Sequence, residues 1–328
     1  MRDAGRPYMY TGEASRQPDP ESLTFTERLR RRWEGVQSLI CVGLDTEYDR
    51  LPPSVRGGNT GLLSKREGHV STLVEGALLA FNQAIIDATA DLVCAFKPNS
   101  AFYEQYGHAG IRALTRTIAY IHARYPDVLV ILDAKRGDIG STNAAYARAA
   151  FDACGADAIT LHPYLGREAL APFLERADRG QFILCRTSNP GSDEFQGLVA
   201  RPAVEPDRPG ETAPGGREEP LYLRVARTVA TQWNTLGNCG LVVGATYPEE
   251  LRQVRRVVGD LPILVPGIGA QGGDLAATVR AGLDSQRQGL IISLSRSVIY
   301  ASSDLDFAHA ARKEVTRAWN EIDRLRNE

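Results

Sequence analysis

The sequence predicts an α/β chain folded as a (β/α)8 TIM barrel, and three observations predict it. Eight short apolar runs rich in β-branched residues recur along the chain. Amphipathic segments of helical period separate them, and charged or polar residues gather where the runs end. Regular alternation of strand and helix implies a parallel sheet with right-handed crossovers, and eight such units imply closure into a barrel. Runs that are continuously apolar, rather than alternating, mark strands covered on both faces.

The runs are Leu39–Leu44, Leu92–Phe96, Val128–Leu132 and Ala158–Leu161, then Phe182–Cys185, Gly240–Val243, Ile263–Val265 and Gly289–Ser293. Between them the periodicity predicts helices over 70–89, 111–124, 142–153, 221–236, 248–257 and 274–281. A helix from Phe25 to about Val36, opened by Thr26, precedes the first strand and is placed to plug the barrel floor. Leu305 to Leu325 closes the C-terminal end. Residues 23–328 thus form one catalytic domain, preceded by a polar tail over 1–22 that is expected to be disordered or loosely docked. A Pro/Gly/Glu-rich insertion over 201–220 follows the fifth strand, on the face where a lid would sit.

Bulk properties narrow the function classes. Of 328 residues, 24% are charged and 43% hydrophobic, with a formal net charge of -2. That balance offers no global attraction to nucleic acid or acidic membranes, so an anionic ligand needs a local site. No apolar run approaches the roughly 20 residues that span a bilayer. The N-terminal stretch also lacks a signal-peptide apolar core. Cys41, Cys94, Cys185 and Cys239 fall in or beside apolar strands, and no CxxC pair occurs, as in a reduced, cytoplasmic protein. The arginines between Arg28 and Arg32 read as the solvated face of an amphipathic helix, since no aromatic interleaving accompanies them.

The chemistry concentrates at Asp133-Ala-Lys135-Arg-Gly-Asp138, directly after the third run. Side chains alternate along a strand, so Asp133 and Lys135 are expected to point the same way at its carboxyl end. Acids and a lysine packed this closely are costly unless they pair or react. A surface turn with a salt bridge is the plain alternative for this spacing alone. The other strand ends supply Asp45, Lys97-Pro-Asn99, His162-Pro163, Thr187-Ser188-Asn189, Pro266-Gly267-Ile-Gly269-Ala-Gln271-Gly272-Gly273 and Ser295-Arg296-Ser297. Active sites of such barrels lie at these ends, and phosphate often sits after strands seven and eight. The glycines there allow close backbone approach, the helix starting near Asp274 offers N–H groups, and Arg296 adds a charge-assisted contact. Lys97 with Asp133, Lys135 and Asp138 makes a nearly neutral quartet, and no cysteine–histidine cluster suggests zinc. Unit charges about 4 Å apart interact by roughly 4 kcal/mol at an effective dielectric near 20. Such a set can repel a carboxylate with an acid and deliver a proton to the resulting carbanion from a lysine. Of the two effects, only the second stabilises the transition state directly. His162 beside a proline reads as a packing residue as readily as a reactive one, and turn capping explains Ser188 and Asn189 as well as substrate contact does.

Taken together, Gly43-Leu-Asp45, Phe96-Lys-Pro-Asn99, Asp133-Ala-Lys-Arg-Gly-Asp138-Ile-Gly-Ser-Thr142, Thr187-Ser-Asn-Pro190, Pro266-Gly-Ile-Gly-Ala-Gln271 and Ser295-Arg296 resemble the orotidine 5′-phosphate decarboxylase family, in its longer-chain bacterial subgroup. The resemblance implies decarboxylation of orotidine 5′-monophosphate to UMP in pyrimidine biosynthesis, with no cofactor and no metal. It makes Lys135 the proton donor to C6, places Asp133 beside the leaving carboxylate, and has Lys97 orient Asp133 and contact the ribose. It assigns Asp45 to the ribose, Ser188 to the pyrimidine, and Gln271 and Arg296 to the phosphate, over the loop of Gly267, Gly269 and Gly272. Asp138, with Ile139 and Thr142, would reach the neighbouring subunit's ribose, which implies a homodimer with shared active sites. The tail and the insertion have no counterpart in that pattern.

Two other readings remain at this stage. Magnesium-dependent sugar-phosphate decarboxylases and aldolases share Asp-x-Lys-x-x-Asp but place an acid where this chain has Lys97. A silent nucleotide-phosphate binder would keep only the Gly267–Arg296 end.

Overall fold

The computed structural model describes residues 23–56, 67–201, 218–268 and 272–328. Eight parallel strands close into a barrel: β1 (Ile40–Gly43), β2 (Ala95–Lys97), β3 (Leu129–Arg136), β4 (Ala158–Leu161), β5 (Gly180–Arg186), β6 (Cys239–Val243), β7 (Ile263–Val265) and β8 (Leu290–Leu294). Each strand pairs with its neighbours in sequence, and β1 pairs with β8 through Ile40 opposite Ile292 and Val42 opposite Leu294. Every residue of β1, β4, β6, β7 and β8 is buried, as continuous apolar runs require when helices cover the outside and side chains fill the inside.

The helix Phe25–Val36 seals the floor with Phe25, Leu29 and Trp33, which its period places on one side. Phe25 meets Phe182 of β5 edge-on, with ring centroids 5.8 Å apart. Its opening residue differs from expectation. Thr24 is the cap, in a capping box with Glu27, while the Thr26 hydroxyl donates to Gly237 O at 2.6 Å. Thr26 lies one position inside the helix, where its hydroxyl is free to tie the floor helix to the loop before β6.

The run of arginines in this helix is only partly a solvated face. Arg28 pairs with Asp157 at 2.7 Å, and Arg32 donates to Ala90 O and Val93 O. Arg30 and Arg31 are exposed.

Two expected helices finish as wide turns. Gly140–Ala147 continues as a π-turn over Arg148–Ala153, and Leu221–Thr228 continues as one over Val229–Trp233. Each wide turn carries a buried aromatic, Phe151 or Trp233. A further helix, Gly166–Leu174, lies between β4 and β5, and Pro172 inside it masks the helical pattern in the sequence. The ends of the expected insertion are fastened, because Val199–Ala200 pairs antiparallel with Glu219–Pro220. The rest of that insertion, 202–217, and the tail 1–22 lie outside the described residues.

Candidate active site

The carboxyl ends of the strands surround a cavity of about 490 Å³. Its wall includes Asp45, Lys97, Asp133, Lys135, Ser188, Gly267 and Arg296, which join seven of the sequence-derived positions in one space. Lys97, the last residue of β2, is buried, and its ammonium donates to Asp133 Oδ2 at 3.1 Å. Lys135 Nζ donates to Asp133 Oδ1 at 2.6 Å. Asp133 is therefore held between two ammonium groups, one buried and one half exposed, with side-chain exposures of 4% for Lys97 and 50% for Lys135.

Burial alone would raise the Asp133 carboxyl, but the charges of Lys97 and Lys135 and the hydrogen bonds from Lys135 and Thr160 outweigh it and hold it well below the usual carboxylate range. Burial alone would likewise lower Lys97, but Asp133 and Asp45 overcome it and hold the amine above its ordinary value. Both groups are therefore ionised at neutral pH. The main chain fixes their position: Asp133 N donates to Pro98 O, and Ser100 N donates to Asp133 O.

Lys135 reaches Asp133 by a route that strand alternation does not provide. Its φ is +47°, in the left-handed region, and the β3–β4 register slips between Leu132 and Arg136. A side-chain residue held there costs about 1–2 kcal/mol, and such strain tends to collect at functional sites. Thr160 of β4 holds the irregular stretch in place. Its hydroxyl donates to Asp133 Oδ1 at 2.8 Å and accepts from Lys135 N at 2.9 Å. Thr160 is the positioning residue that sequence reading missed, since a threonine inside an apolar strand reads as a β-branched core residue. Gln196 was missed as well. It lines the cavity and clasps Thr187, accepting from Thr187 N at 2.8 Å and donating to its hydroxyl at 2.9 Å.

Asp45 follows β1 and leaves its buried Oδ1 without a hydrogen-bond partner among the described residues. An oxygen withdrawn from water in this way is suited to a substrate donor. The strand before it passes close to the β8 exit: a Cβ on Gly43 would lie 1.8 Å from Ser295 Oγ, so only glycine fits there.

At the other end of the cavity Gly267 (φ +100°) and Arg296 form the candidate anion site, and Gly272 (φ +82°) stands near them outside the cavity wall. The Asp274 carboxylate already accepts from Ala277 N, so that N–H of the helix Leu275–Gly282 is taken. Gly269 and Gln271 lie outside the described residues.

Asp138, Ile139 and Thr142 do not line this chain's cavity. Asp138 accepts from Ile139 N at 2.6 Å, and Ile139 is 60% exposed. His162 also stays out of the cavity. Its ring packs against Gly137, where a Cβ would fall 2.6 Å from His162 Nε2, so the β3 turn accepts only glycine there.

Comparison with known proteins identifies the family. The model of the orotidine 5′-phosphate decarboxylase / HUMPS family matches residues 38–311. Over 308 residues the chain is 47% identical to an orotidine 5′-phosphate decarboxylase of Ralstonia pickettii, covering 93% of this chain and 100% of that one. It is 49% identical to the enzyme of that name from Thermomicrobium roseum, covering 93% and 97%. Among solved structures, Leishmania donovani OMP decarboxylase superposes with a TM-score of 0.69 at 36% identity, covering 92% of this chain and 99% of that chain.

Proposed function

The chain belongs to the orotidine 5′-phosphate decarboxylase family and is a decarboxylase of pyrimidine biosynthesis, and on that premise we propose how its own side chains carry out the reaction. The observation that carries the proposal is the pairing of Asp133 with both Lys97 and Lys135 on the wall of one cavity.

In this reading the pyrimidine of orotidine 5′-monophosphate lies against Lys135 and Ser188, with its carboxylate toward Asp133. The ionised Asp133 disfavours the carboxylate in the ground state. The C6–carboxylate bond breaks, carbon dioxide leaves, and the electron pair stays on C6. Lys135 then transfers its Nζ proton to C6, forming UMP, and the half-exposed amine regains a proton from solvent. The ammonium beside the developing carbanion stabilises it before the proton moves, and general-acid help of this kind contributes typically 10²–10⁴-fold. All atoms and electrons are accounted for without a cofactor. Lys97 keeps Asp133 in place, and Asp45 accepts from a ribose hydroxyl through its unpartnered Oδ1. Arg296 and the Gly267, Gly269 and Gly272 loop, with Gln271, grip the phosphate, whose remote binding energy goes into closing the loops over the base.

We also infer a cytoplasmic homodimer in which Asp138, Ile139 and Thr142 complete the partner's ribose site. Three features support this: Asp138 lies outside its own chain's cavity, and the neighbouring loop residues Ile139 and Tyr164 are 60% and 91% exposed. No helix among the described residues is long and apolar enough to cross a membrane.

The direct test follows orotidine 5′-monophosphate loss by ultraviolet absorbance with EDTA present. Full turnover is expected; loss that magnesium restores would overturn the metal-free mechanism. Mixing inactive Lys135→Ala and Asp138→Ala chains should recover part of the activity if sites are shared, and no recovery on mixing refutes sharing.

A further inference from the structure

The segment Leu44–Tyr48, which carries Asp45, is fastened at every residue. Tyr103 Oη donates to Leu44 O at 2.9 Å, and the Thr46 hydroxyl donates to Asn82 Oδ1 at 2.6 Å. Tyr48 N donates to Tyr106 Oη at 2.8 Å. Asn82 in turn donates to Tyr103 Oη and Thr117 Oγ1, so four buried polar side chains form one satisfied network under the segment. These anchors all come from the helices, and the turn at Tyr106, that follow β1 and β2, and none of them lines the cavity.

The remaining anchor is different. Tyr300 Oη donates to Asp45 O at 3.2 Å and accepts from Glu47 N at 2.7 Å. Burial pushes its phenol up to about 12, so the hydroxyl stays a donor at neutral pH. Its ring stacks on Phe81, with centroids 6.1 Å apart, and the Arg50 guanidinium lies 3.8 Å from the ring centroid. Tyr300 ends the single helical turn Arg296–Ile299 that Arg296 opens, and its own N–H donates to Arg296 O at 3.2 Å. One rigid turn therefore joins the arginine at the anion end to the main chain of the ribose carboxylate.

We propose that Tyr300 is a positioning residue that couples phosphate binding at Arg296 to the placement of Asp45 against the ribose. The inference rests on the roles given above to Arg296 and Asp45. When the phosphate draws Arg296 inward, the turn carries Tyr300 with it, and the Asp45 main chain follows its hydrogen bond. Seating one end of the nucleotide thereby improves the other, which is a coupling of two contacts and not a sum of them.

The test is a double-mutant cycle on UMP affinity, measured calorimetrically with Tyr300→Phe, Arg296→Ala and the double variant. Tyr300→Phe alone is expected to weaken UMP about tenfold, close to 1.4 kcal/mol. In the Arg296→Ala background the same change should cost less than threefold. Tyr106→Phe is the control: it removes an anchor of the same segment without touching the Arg296 turn, and its effect should be the same in both backgrounds. Equal factors for Tyr300→Phe in the two backgrounds, or no weakening at all, would overturn the coupling, because a merely structural tyrosine gives additive losses. Failure of the functional reading shows up separately, as a wild-type chain that neither binds UMP nor turns over orotidine 5′-monophosphate.

Discussion

Asp133 at the mouth of the barrel and Asp157 at its floor are both buried carboxylates surrounded by cations, and both are held below the ordinary acid range. Their partners differ in kind. Asp157 accepts from Arg28 at 2.7 Å, from the His122 ring at 2.9 Å and from Val130 N at 2.9 Å. Arg28 is itself tied to Asp178 O. Arginine cannot give up its proton in this range and the backbone amide cannot move; the His122 ring can exchange one, but neither it nor Asp157 lines the cavity, so the cluster holds the fold. Arg255 repeats the pattern by donating to the carbonyls of Gly259, Leu261, Gly282 and Gly289. At the mouth the partners are lysines, compact donors that can part with a proton. One of them is half exposed on a left-handed backbone, and a buried oxygen of nearby Asp45 has no partner among the described residues. The same charge pattern thus becomes structure or chemistry according to which cation faces the acid and how completely its hydrogen bonds are satisfied.

The largest effect that follows is on turnover. Lys135→Ala should lower kcat by about 10²–10⁴-fold while changing UMP affinity only a few-fold, since the proposed proton donor acts on the transition state. Lys135→Gly should be equally inactive and yet melt within about 2 °C of wild type. Relief of about 1 kcal/mol of left-handed strain offsets the loss of a half-exposed ion pair. Steady-state kinetics and thermal denaturation check both; a large loss of stability in the glycine variant would show that the mouth, like the floor, holds the fold together.

The reverse pattern is expected at the floor. Asp157→Ala takes away the ion-pair partner of Arg28, which keeps Asp178 O, and leaves the buried Val130 N without an acceptor; the orphaned amide alone costs about 1–3 kcal/mol. Denaturant unfolding should register that loss, while kcat/KM of the folded fraction stays near wild type. A hundredfold fall in kcat would erase the division between the two ends.

That division was legible in the sequence only at one end. The eight strands, Lys97, Asp133, Lys135, Gly267 and Arg296 could be placed because each charge or glycine directly ends an apolar run, and the fold turns that local position into a shared cavity. What stayed hidden depends on partners distant in sequence. Thr160 bonds Asp133 across 27 residues, and Thr46 bonds Asn82 across 36, so neither hydroxyl shows a purpose in its own neighbourhood. Arg28 and Arg32 look solvated in a helical wheel because their acceptors belong to β-strand entries elsewhere. The left-handed turn at Lys135 is likewise set by the register slip against β4, which no local pattern in β3 announces.

A smaller effect separates binding from catalysis within the mouth itself. Arg296→Ala removes the charge-assisted contact proposed to the phosphate and should raise KM for orotidine 5′-monophosphate by about 10–150-fold, or roughly 1.5–3 kcal/mol. Uridine, which carries no phosphate, should bind the variant as it binds wild type. Equal weakening of both in equilibrium titrations would take Arg296 out of the phosphate site.

The smallest effect is in pH dependence, where the two acids have the same sign but different consequences. Burial raises Asp157, but the His122 hydrogen bond and the Arg28 charge overcome it, and its folded pKa lies below the ordinary 3.8. A depressed acid contributes stability that is fully present above its unfolded pKa and is lost as pH falls through its folded one. The stability gap between wild type and Asp157→Ala should therefore narrow progressively below about pH 4 in urea unfolding. Asp133 is depressed by Lys97 and Lys135 in the same direction, so the gap between wild type and Asp133→Asn should narrow over the same acid range. Only the second substitution should abolish turnover at neutral pH. A gap for Asp157 that widens with acid would mean that its cations fail to stabilise the charged form, and the floor cluster would then be a burden on the fold and not its anchor.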